Sequence, residues 1–396
     1  MHITYIVYTK KGRKIMGLGF SLEDLFDMSQ VEEGDEPVFF SKTGSLNLSA
    51  RNVLHRGKAY KYGDTGVAYS EDGKTLLHCP PLRPGTVRIH EGVEGIGDFA
   101  FQYGALSAIV LPDSIHTIGI HAFSSSDITQ ITFGNGISNL GDEDNNTSIF
   151  SDCACLTKVV FPENITSIGS DIFCGCVNLR TVVFPNTMTK IGNYAFYNCA
   201  LENTVIPKSI KSIGTGAFCG AESLIFEKIP KNIISSIVAF TDDYDNVDSY
   251  RCNYVKITCN GNTVFIPRLI AEGKFNDLVK GFDETWFNSE KGYCLFNYGA
   301  TSEIKGDTAF AEFQQRKTRA AFDYLHKCGD EISKRYLLKK RQDEFVDLLA
   351  TDAIDRKLLP ELLDIANKNE KTIAAAYIMQ CMGNVPDDVY DDTYDL

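Results

Sequence analysis

The cysteines of this sequence could bind a metal ion or pack as reduced thiols in the core. Cys153, Cys155, Cys174 and Cys176 form two Cys-x-Cys pairs, and four thiolates are a common ligand set for structural zinc. Packing is the stronger explanation for three cysteines, because Cys153, Cys176 and Cys199 each follow a phenylalanine by three residues. Small residues hold the same position elsewhere, namely Gly104, Ser126 and Ala221. Since free cysteine packs as a small hydrophobe, we favour reduced core thiols and predict no metal site.

The histidines and carboxylates show no catalytic pattern. His116 and His121 are five residues apart, with no carboxylate or cysteine at ligand spacing. The sequence contains no Walker loop, no G-x-S-x-G elbow and no H-E-x-x-H motif. The cysteines have no dedicated histidine that could activate a thiol nucleophile. We therefore predict a protein that is not an enzyme, with no catalytic residue and no cofactor.

Composition argues against two classes of partner. The chain has 396 residues and a formal net charge of −13. Without a basic stripe such a chain cannot replace the counterions of a nucleic acid, and anionic membrane surfaces repel it. No apolar run reaches the length of a membrane span, so we predict no membrane insertion. The sequence indicates no oligomeric state.

One sequence pattern recurs six times between about residues 87 and 230. It determines where the cysteines discussed above lie within each repeat. Its fixed point is a phenylalanine that returns every 22 or 23 residues, with one step of 27 that includes the polar insert Asp142–Thr147. The phenylalanines are Phe101, Phe123, Phe150, Phe173, Phe196 and Phe218. A period of this length is typical of leucine-rich repeats.

The residues of a single repeat are enough to predict its local structure. In the copy that begins at Leu179, Val182 and Phe184 alternate with outward residues, which predicts a short strand. Pro185 ends that strand because proline has no N–H for the ladder. Gly192 is expected to turn the chain with a positive φ. One copy cannot bury its apolar residues alone, so the copies must stack into a right-handed coil with a parallel sheet on its concave wall.

These residues resemble the BspA-type leucine-rich repeat family. The family pattern of strand, Ile-Pro, Ile-x-x-Ile-Gly, Ala-Phe and a following cysteine or small residue is seen in Ile206-Pro207, Ile210, Ile213-Gly214 and Ala217-Phe218. The resemblance implies a ligand-binding or adhesion role without chemistry. Secreted members would carry a signal peptide, whereas this N-terminus turns polar at Lys10-Lys11. We therefore predict a cytoplasmic location, with the cell surface or secretion as the alternative.

The flanking sequence differs from the repeats. The predicted fold class is α/β: a leucine-rich-repeat solenoid with a parallel sheet, an N-terminal α+β capping segment and a C-terminal all-α domain of helix pairs. In the N-terminal segment, a helix is expected from Ser21 and a hairpin at Asp72-Gly73. The predicted domains are 1–85 (capping segment), 86–240 (six repeats and a decayed cap), 241–266 (linker and hairpin), 267–384 (helices) and 385–396 (acidic disordered tail).

The apolar period changes to that of a helix after the hairpin predicted at Asn260-Gly261. We expect a turn at Cys328–Asp330, a break or kink at Pro360, and stacked helix pairs of ankyrin or HEAT character. Trp286 is expected in a core helix. The predicted helices are one starting near Pro267, then Thr308–Lys327, Asp330–Lys340, Asp343–Ala350, Asp352–Asn367 and Lys371–Met382.

The best candidate surface is the outward side of the repeat strands. Residues between the inward strand positions must face out, and a row of β-branched residues there would form an apolar patch that fits a partner. We predict a non-enzymatic scaffold that binds a protein or glycan. The alternatives are a BspA-type adhesin and an enzyme with a site between repeats and helices. The candidate residues are Ala108, Val110, Gln130, Thr132, Lys158, Val160, Thr181, Val183, Asn203 and Val205.

Overall fold

A computed structural model describes residues 67–79, 85–141, 147–238, 252–271, 273–339 and 341–383 in full, and five earlier strands by their backbone. The chain divides into two units, Met1–Ile237 and Val238–Leu396. The predicted helix at Ser21 and the acidic tail lie outside the described residues. Among those that are described, no helix is long and apolar enough to cross a membrane.

The first unit begins with small antiparallel sheets. The central strand of the first sheet, β1, pairs with β2 and β3, and β4 pairs with β5. The predicted hairpin at Asp72-Gly73 is confirmed, since β6 and β7 pair around it and Gly73 has a φ of 73°. The strands are β1 (Ile3–Tyr8), β2 (Lys14–Gly19), β3 (Glu36–Phe40), β4 (Asn52–His55), β5 (Lys58–Lys61), β6 (Ala68–Tyr69) and β7 (Thr75–His78).

The repeats form a solenoid of about six coils, each with two short strands. Even-numbered strands come from the alternating Leu-x-x-Val-x-Phe stretch, and odd-numbered strands from the residues before the repeat glycine. The strands are β8 (Gly85–Arg88), β9 (Gly95–Ile96), β10 (Leu106–Val110), β11 (Thr117–Ile118), β12 (Gln130–Thr132), β13 (Asn139–Leu140), β14 (Lys158–Val160), β15 (Ser167–Ile168), β16 (Thr181–Val183), β17 (Lys190–Ile191), β18 (Thr204–Ile206), β19 (Ser212–Ile213) and β20 (Ser223–Phe226).

Pairing is parallel and joins equivalent residues of successive coils. The even strands pair as β8–β10–β12, β14–β16 and β18–β20, and the odd strands as β7–β9–β11 and β13–β15–β17–β19. In this register Val159 lies beside Val182, and both are buried. Stacking therefore buries the inward residues that one coil would leave exposed.

The six repeat phenylalanines form a continuous stack along one side of the core. Phe101 and Phe123 have ring centroids 4.8 Å apart and an interplanar angle of 5°. Phe173 and Phe196 are 5.4 Å apart at 4°. All six rings are at most 1% exposed. Strand-end rings such as Phe184 meet this stack edge-on, at 88° to Phe196, so the core is a lattice of stacked and perpendicular aromatics.

Most repeat glycines do not turn the chain as predicted. Gly192 and its equivalents Gly119 and Gly214 are not among the residues with positive φ, whereas Gly141, which precedes the polar insert, has a φ of 81°. A Cβ on Gly192 would lie 2.4 Å from the carbonyl carbon of Gly169 in the preceding coil. The prediction of a positive φ was therefore wrong, because glycine is needed here for the close approach of two backbones.

The last coil ends in a short helix, α1 (Ile233–Ile237). Ser236, a polar residue in an apolar repeat position, is fully buried and donates a hydrogen bond to the carbonyl oxygen of Ile233 at 2.7 Å. The hydroxyl is therefore satisfied inside the core, which is how the decayed last repeat tolerates it.

The second unit begins with the predicted hairpin and continues with helices. Strands β21 (Tyr254–Cys259) and β22 (Asn262–Pro267) pair around Asn260 and Gly261, which both have positive φ. Trp286 is buried, but it lies in the 3-10 helix Glu284–Asn288. The helices are α2 (Phe275–Gly281), α3 (Glu290–Tyr293), α4 (Ser302–Arg316), α5 (Arg319–Leu338), α6 (Gln342–Leu349), α7 (Leu359–Lys368) and α8 (Thr372–Gly383), with further 3-10 turns at Leu295–Tyr298 and Arg356–Leu358.

Four of the six helix predictions were wrong in their boundaries, namely those that start at Pro267, Thr308, Asp330 and Asp352. Pro267 is the last residue of β22 and starts no helix. The expected helix Thr308–Lys327 spans the junction of α4 and α5, where Lys317 has a φ of 53° and donates its N–H to the carbonyl oxygen of Phe313. Pro360 lies in the first turn of α7, where a proline is tolerated, and so it breaks nothing.

The turn predicted at Cys328–Asp330 is also absent, since α5 runs through it without interruption. Gly329 suggested a turn, but the glycine is needed for helix packing. A Cβ there would lie only 2.7 Å from Cδ1 of Ile354. The fold class is confirmed as a repeat solenoid with parallel sheets followed by a helical region. Ankyrin or HEAT character of the helices is not confirmed.

Candidate functional site

The outward residues of the even strands make up the surface that we call the valine face. Its ten residues are the candidates predicted from sequence, two from each of five coils. Ala108 and Val110 are half-buried, and the other eight are exposed. These eight are Gln130, Thr132, Lys158, Val160, Thr181, Val183, Asn203 and Val205.

The register explains the exposure of the valines. Val160 lies beside Val183 on the next coil, and Val205 holds the same repeat position one coil further on. Their exposed fractions are 47%, 45% and 48%. The residues between them in each strand point into the core, as in the buried Val159 and Val182. An apolar row of this kind is stable in a sheet but leaves hydrophobic surface in water.

Polar contacts hold the edge of the valine face. Arg180 and Glu202, on neighbouring coils, form an ion pair beside Thr181 and Asn203. Asn203 donates its backbone N–H to Oγ of Ser223 at 2.7 Å. These contacts between coils fix the flanking residues and leave the valine row without a polar partner of its own.

The same row extends further than the sequence prediction. Arg88 lies beside Val110, and Ile225 lies beside Val205. Arg88 is exposed and Ile225 is half-buried. Both occupy the repeat position of the valines, so alignment of the first and last repeats would have found them. Their repeats depart from the consensus, which hid the equivalence.

The cysteines form no metal site in the part of the chain that the structure describes, where no group of three or more His, Cys, Asp or Glu side chains could hold an ion. Instead, Cys153, Cys176 and Cys199 are fully buried. Their thiols donate hydrogen bonds to the carbonyl oxygens of Phe123, Phe150 and Phe173, at 3.1 to 3.2 Å. Burial raises the pKa of Cys176 well above its usual value. Protonated, hydrogen-bonded thiols are the wrong form for a nucleophile or a ligand.

A buried charged cluster in the second unit was not found from sequence. The carboxylate of Asp307 is 3% exposed and accepts hydrogen bonds from four side chains. The donors, with their distances, are Asn253 (2.8 Å), Arg335 (2.9 Å), Tyr336 (2.7 Å) and Arg341 (2.6 Å). Burial, followed by the charge of Asp307, raises the pKa of Tyr336. Every carboxylate oxygen is satisfied, so this cluster fixes α4, α5 and the start of α6 in place.

The fold and the valine face define a class of protein, a leucine-rich-repeat solenoid with a regular exposed sheet. Comparison with known families agrees: residues 83–148 and 143–244 match the model of the BspA type leucine rich repeat region, in six copies. The predicted resemblance is thereby confirmed for the repeats. No curated protein matches the chain.

Several solved structures are similar to part of the chain at low identity. A leucine rich cell surface protein from Faecalibacterium prausnitzii is 29% identical, with 40% of each chain covered and a TM-score of 0.32. The T. pallidum leucine rich repeat protein is 24% identical over 39% of this chain and 85% of its own, with a TM-score of 0.31. A leucine-rich repeat protein from Bacteroides ovatus is 17% identical over 60% and 69%, with a TM-score of 0.32. The chain thus spans less than half of the Faecalibacterium protein.

Proposed function

We propose that this protein is a non-enzymatic scaffold that binds a protein partner through the valine face. The observation that carries the proposal is the exposed row Val160, Val183 and Val205, repeated at one position in consecutive coils. Scattered surface valines need no explanation, but a contiguous apolar row is typical of an interaction surface. The BspA-type repeat match supports a binding role in general.

A protein fits this face better than a glycan does. The ten residues of the valine face include no aromatic ring and no carboxylate. Branched aliphatic side chains gain from burial against another apolar surface, whereas a sugar needs hydrogen-bonding partners and a ring to stack on. We therefore assign an apolar protein surface, rimmed by polar groups, as the partner of this face.

The test compares two matched double variants. Val160→Glu with Val183→Glu places two charges in the row and is expected to abolish partner capture, while far-UV circular dichroism and the thermal midpoint stay close to wild type. Ile120→Glu with Val177→Glu changes two similarly exposed residues, each 40% exposed, elsewhere on the repeats, and should leave capture intact.

The two variants together decide the assignment. Capture that survives Val160→Glu with Val183→Glu would remove the valine face from consideration and direct attention to the helical unit, which we propose as a second protein-binding surface. Capture that fails in both variants would indicate a general loss of structure or solubility.

A BspA-type adhesin is the alternative function, favoured by the repeat match itself. It requires display outside the cell, whereas a scaffold that works inside the cell does not. Fractionation of the source cells, with protease treatment of intact cells, separates the two: digestion of the protein on intact cells supports the adhesin, and protection until lysis supports the cytoplasmic scaffold.

A further inference from the structure

A second surface lies where each coil turns around its stacked phenylalanine. The residue two before that phenylalanine has a left-handed backbone in every coil. The residues and φ values are Phe99 (59°), His121 (52°), Ser148 (40°), Asp171 (58°), Tyr194 (53°) and Gly216 (64°). Glycine, asparagine and aspartate accept this backbone readily, but a bulky aromatic does not. Tyr194 therefore occupies a strained position that Gly216 fills without strain one coil later.

The turn of every coil imposes this backbone, but it does not require a large aromatic side chain, since Ser148, Asp171 and Gly216 hold the same position. The ring of Tyr194 lies against the backbone of Gly216, where a Cβ would come within 2.5 Å of Cδ1 and Cε1. Even so, 39% of Tyr194 is exposed. Tyr197, one turn further along the chain, meets it edge-on at 77° with centroids 5.7 Å apart. We call these two rings, one exposed and one half-buried, the aromatic platform.

Polar groups of complementary type lie beside this platform. Asp171 holds the same turn position one coil earlier, and its backbone N–H donates to the carbonyl oxygen of Asn193 at 2.9 Å. Asp171 is half-buried, and no described side chain or backbone group donates a hydrogen bond to its carboxylate. Burial raises its pKa accordingly. The carboxylate oxygens of Asp171 are therefore open to donors from water or from a ligand.

Asn193 adds donors at the same place. It is exposed, and its Oδ1 accepts a hydrogen bond from the backbone N–H of Thr215 at 2.9 Å. That bond fixes the orientation of the amide and leaves the Nδ2 donors for a ligand. The patch thus combines an aromatic platform, a carboxylate acceptor and an amide donor within two successive coils.

We propose that Tyr194, Tyr197, Asp171 and Asn193 form a binding site for a neutral oligosaccharide. The C–H face of a pyranose ring packs on an exposed aromatic ring, and its hydroxyl groups donate to a carboxylate and accept from an amide. Asp152, also exposed, lies close to the same turn, where a Cβ on Gly175 would come within 2.1 Å of its Oδ1. Two carboxylates and the net charge of −13 repel acidic sugars. The site shares no residue with the valine face and stands independently of the function proposed for that face.

The test uses the full chain and three neutral hexasaccharides, cellohexaose, mannohexaose and N-acetylchitohexaose. Saturation-transfer NMR detects contact with the sugar, and titration calorimetry gives the affinity. At least one sugar is expected to bind. Tyr194→Gly should weaken that binding roughly tenfold or more, because a ring that stacks on the ligand is lost. Asp171→Asn should weaken it as well, since the amide no longer offers two acceptor oxygens.

These variants are chosen to keep the fold. Glycine and asparagine both accept the left-handed backbone that they inherit, so the thermal midpoints should not fall. Phe99→Gly makes the same change at the same turn position of the first coil and should leave sugar binding unchanged. It therefore controls for the effect of a glycine in this turn.

Three results would overturn the site. They are failure of all three sugars to bind the wild-type chain, binding that Tyr194→Gly and Asp171→Asn leave unchanged, and equal weakening by Phe99→Gly. If Tyr194→Gly instead removes a protein partner and the sugars do not bind, the patch is a protein contact and the carbohydrate assignment is wrong.

Discussion

The thiol of Cys176 donates a hydrogen bond to the carbonyl oxygen of Phe150, 3.1 Å away in the preceding coil. Cys153 and Cys199 make the same contact with Phe123 and Phe173. A small side chain with a weak donor fits this position because it fills the core and adds a hydrogen bond from the next coil, although the carbonyl oxygens of Phe123 and Phe173 also accept backbone N–H groups within their own coils. The thiols therefore link successive coils by hydrogen bonds. Their burial keeps them away from reagents and ligands.

Alkylation should separate these thiols from the exposed one. With iodoacetamide at pH 8, Cys155 is expected to react first because its side chain is exposed. Cys153, Cys176 and Cys199 should react only after unfolding, since their burial excludes the reagent. Peptide mass spectrometry over time gives the order of modification. Early modification of Cys176 in the folded protein would contradict the buried arrangement.

Alkaline pH should destabilise the repeats through Cys174. Burial, with the charges of Asp171 and Asp152, raises the pKa of this thiol from 9.0 to about 12. Between these values the unfolded chain loses the thiol proton and the folded chain keeps it, so stability present below pH 9 falls as the pH rises. Urea unfolding from pH 8 to 11 should show this fall, and Cys174→Ala should make it less steep. An unchanged slope would mean that other groups account for it.

Removing one ring from the phenylalanine stack should be severely destabilising. Phe173 is fully buried between Phe150 and Phe196, and Phe173→Ala is expected to cost about 3–5 kcal/mol of the free energy of unfolding in urea. Val177→Ala, at an exposed valine four residues later, should cost under about 0.5 kcal/mol. Equal costs for the two variants would mean that the stack contributes little.

Replacing Gly192 by alanine should destabilise the protein more than replacing Gly73, because the two glycines are needed for different reasons. A Cβ on Gly192 would meet backbone atoms of Gly169 and Ser170 at 2.4 to 2.7 Å, whereas Gly73 has a φ of 73° and open space around it. Gly192→Ala is therefore expected to cost about 3 kcal/mol, and Gly73→Ala only about 1 kcal/mol. Urea unfolding ranks them, and the reverse order would refute close coil contact as the reason for the repeat glycine.

Breaking the Asp307 cluster should destabilise the helical unit. Arg341 donates to a carboxylate that is 3% exposed, although 28% of its own side chain is exposed. Arg341→Ala should therefore cost about 2–4 kcal/mol, somewhat less than the loss of a fully buried pair. Arg319→Ala removes a pair whose side chains are 84% and 55% exposed, and should cost under about 1 kcal/mol. Thermal midpoints of the two variants give the comparison.

The repeats could be predicted from sequence because their physics is local and recurs. Alternation around Val182, the strand-ending Pro185 and the position of Phe196 each follow from one repeat, and six copies confirm the pattern. The outward direction of Val160 and Val183 follows from the same alternation. The hairpin at Asn260-Gly261 was equally accessible, since two left-handed residues leave few other structures open.

The predictions Asp343–Ala350 and Lys371–Met382 fall within one residue of α6 and α8. The boundaries of α4, α5 and α7 were not accessible in this way. Lys317 ends α4 in a left-handed conformation that its neighbours impose. No glycine or proline in the sequence marks this helix end. Gly329 led to a wrong prediction of a turn, because the glycine is needed there for close packing against Ile354. The role of Gly192 was hidden for the same reason: a coil-to-coil approach depends on residues 22 positions away or more.

The sequence by itself determined the period, the strands, the buried columns and the outward valines, because each depends on residues within one repeat. Only the tertiary structure decided which groups from different coils meet. Asp171 donates its backbone N–H to Asn193 across a coil boundary, and Asp307 accepts hydrogen bonds from residues as distant as Asn253 and Arg341. Such contacts depend on how the chain stacks in space, and no spacing along the sequence records them.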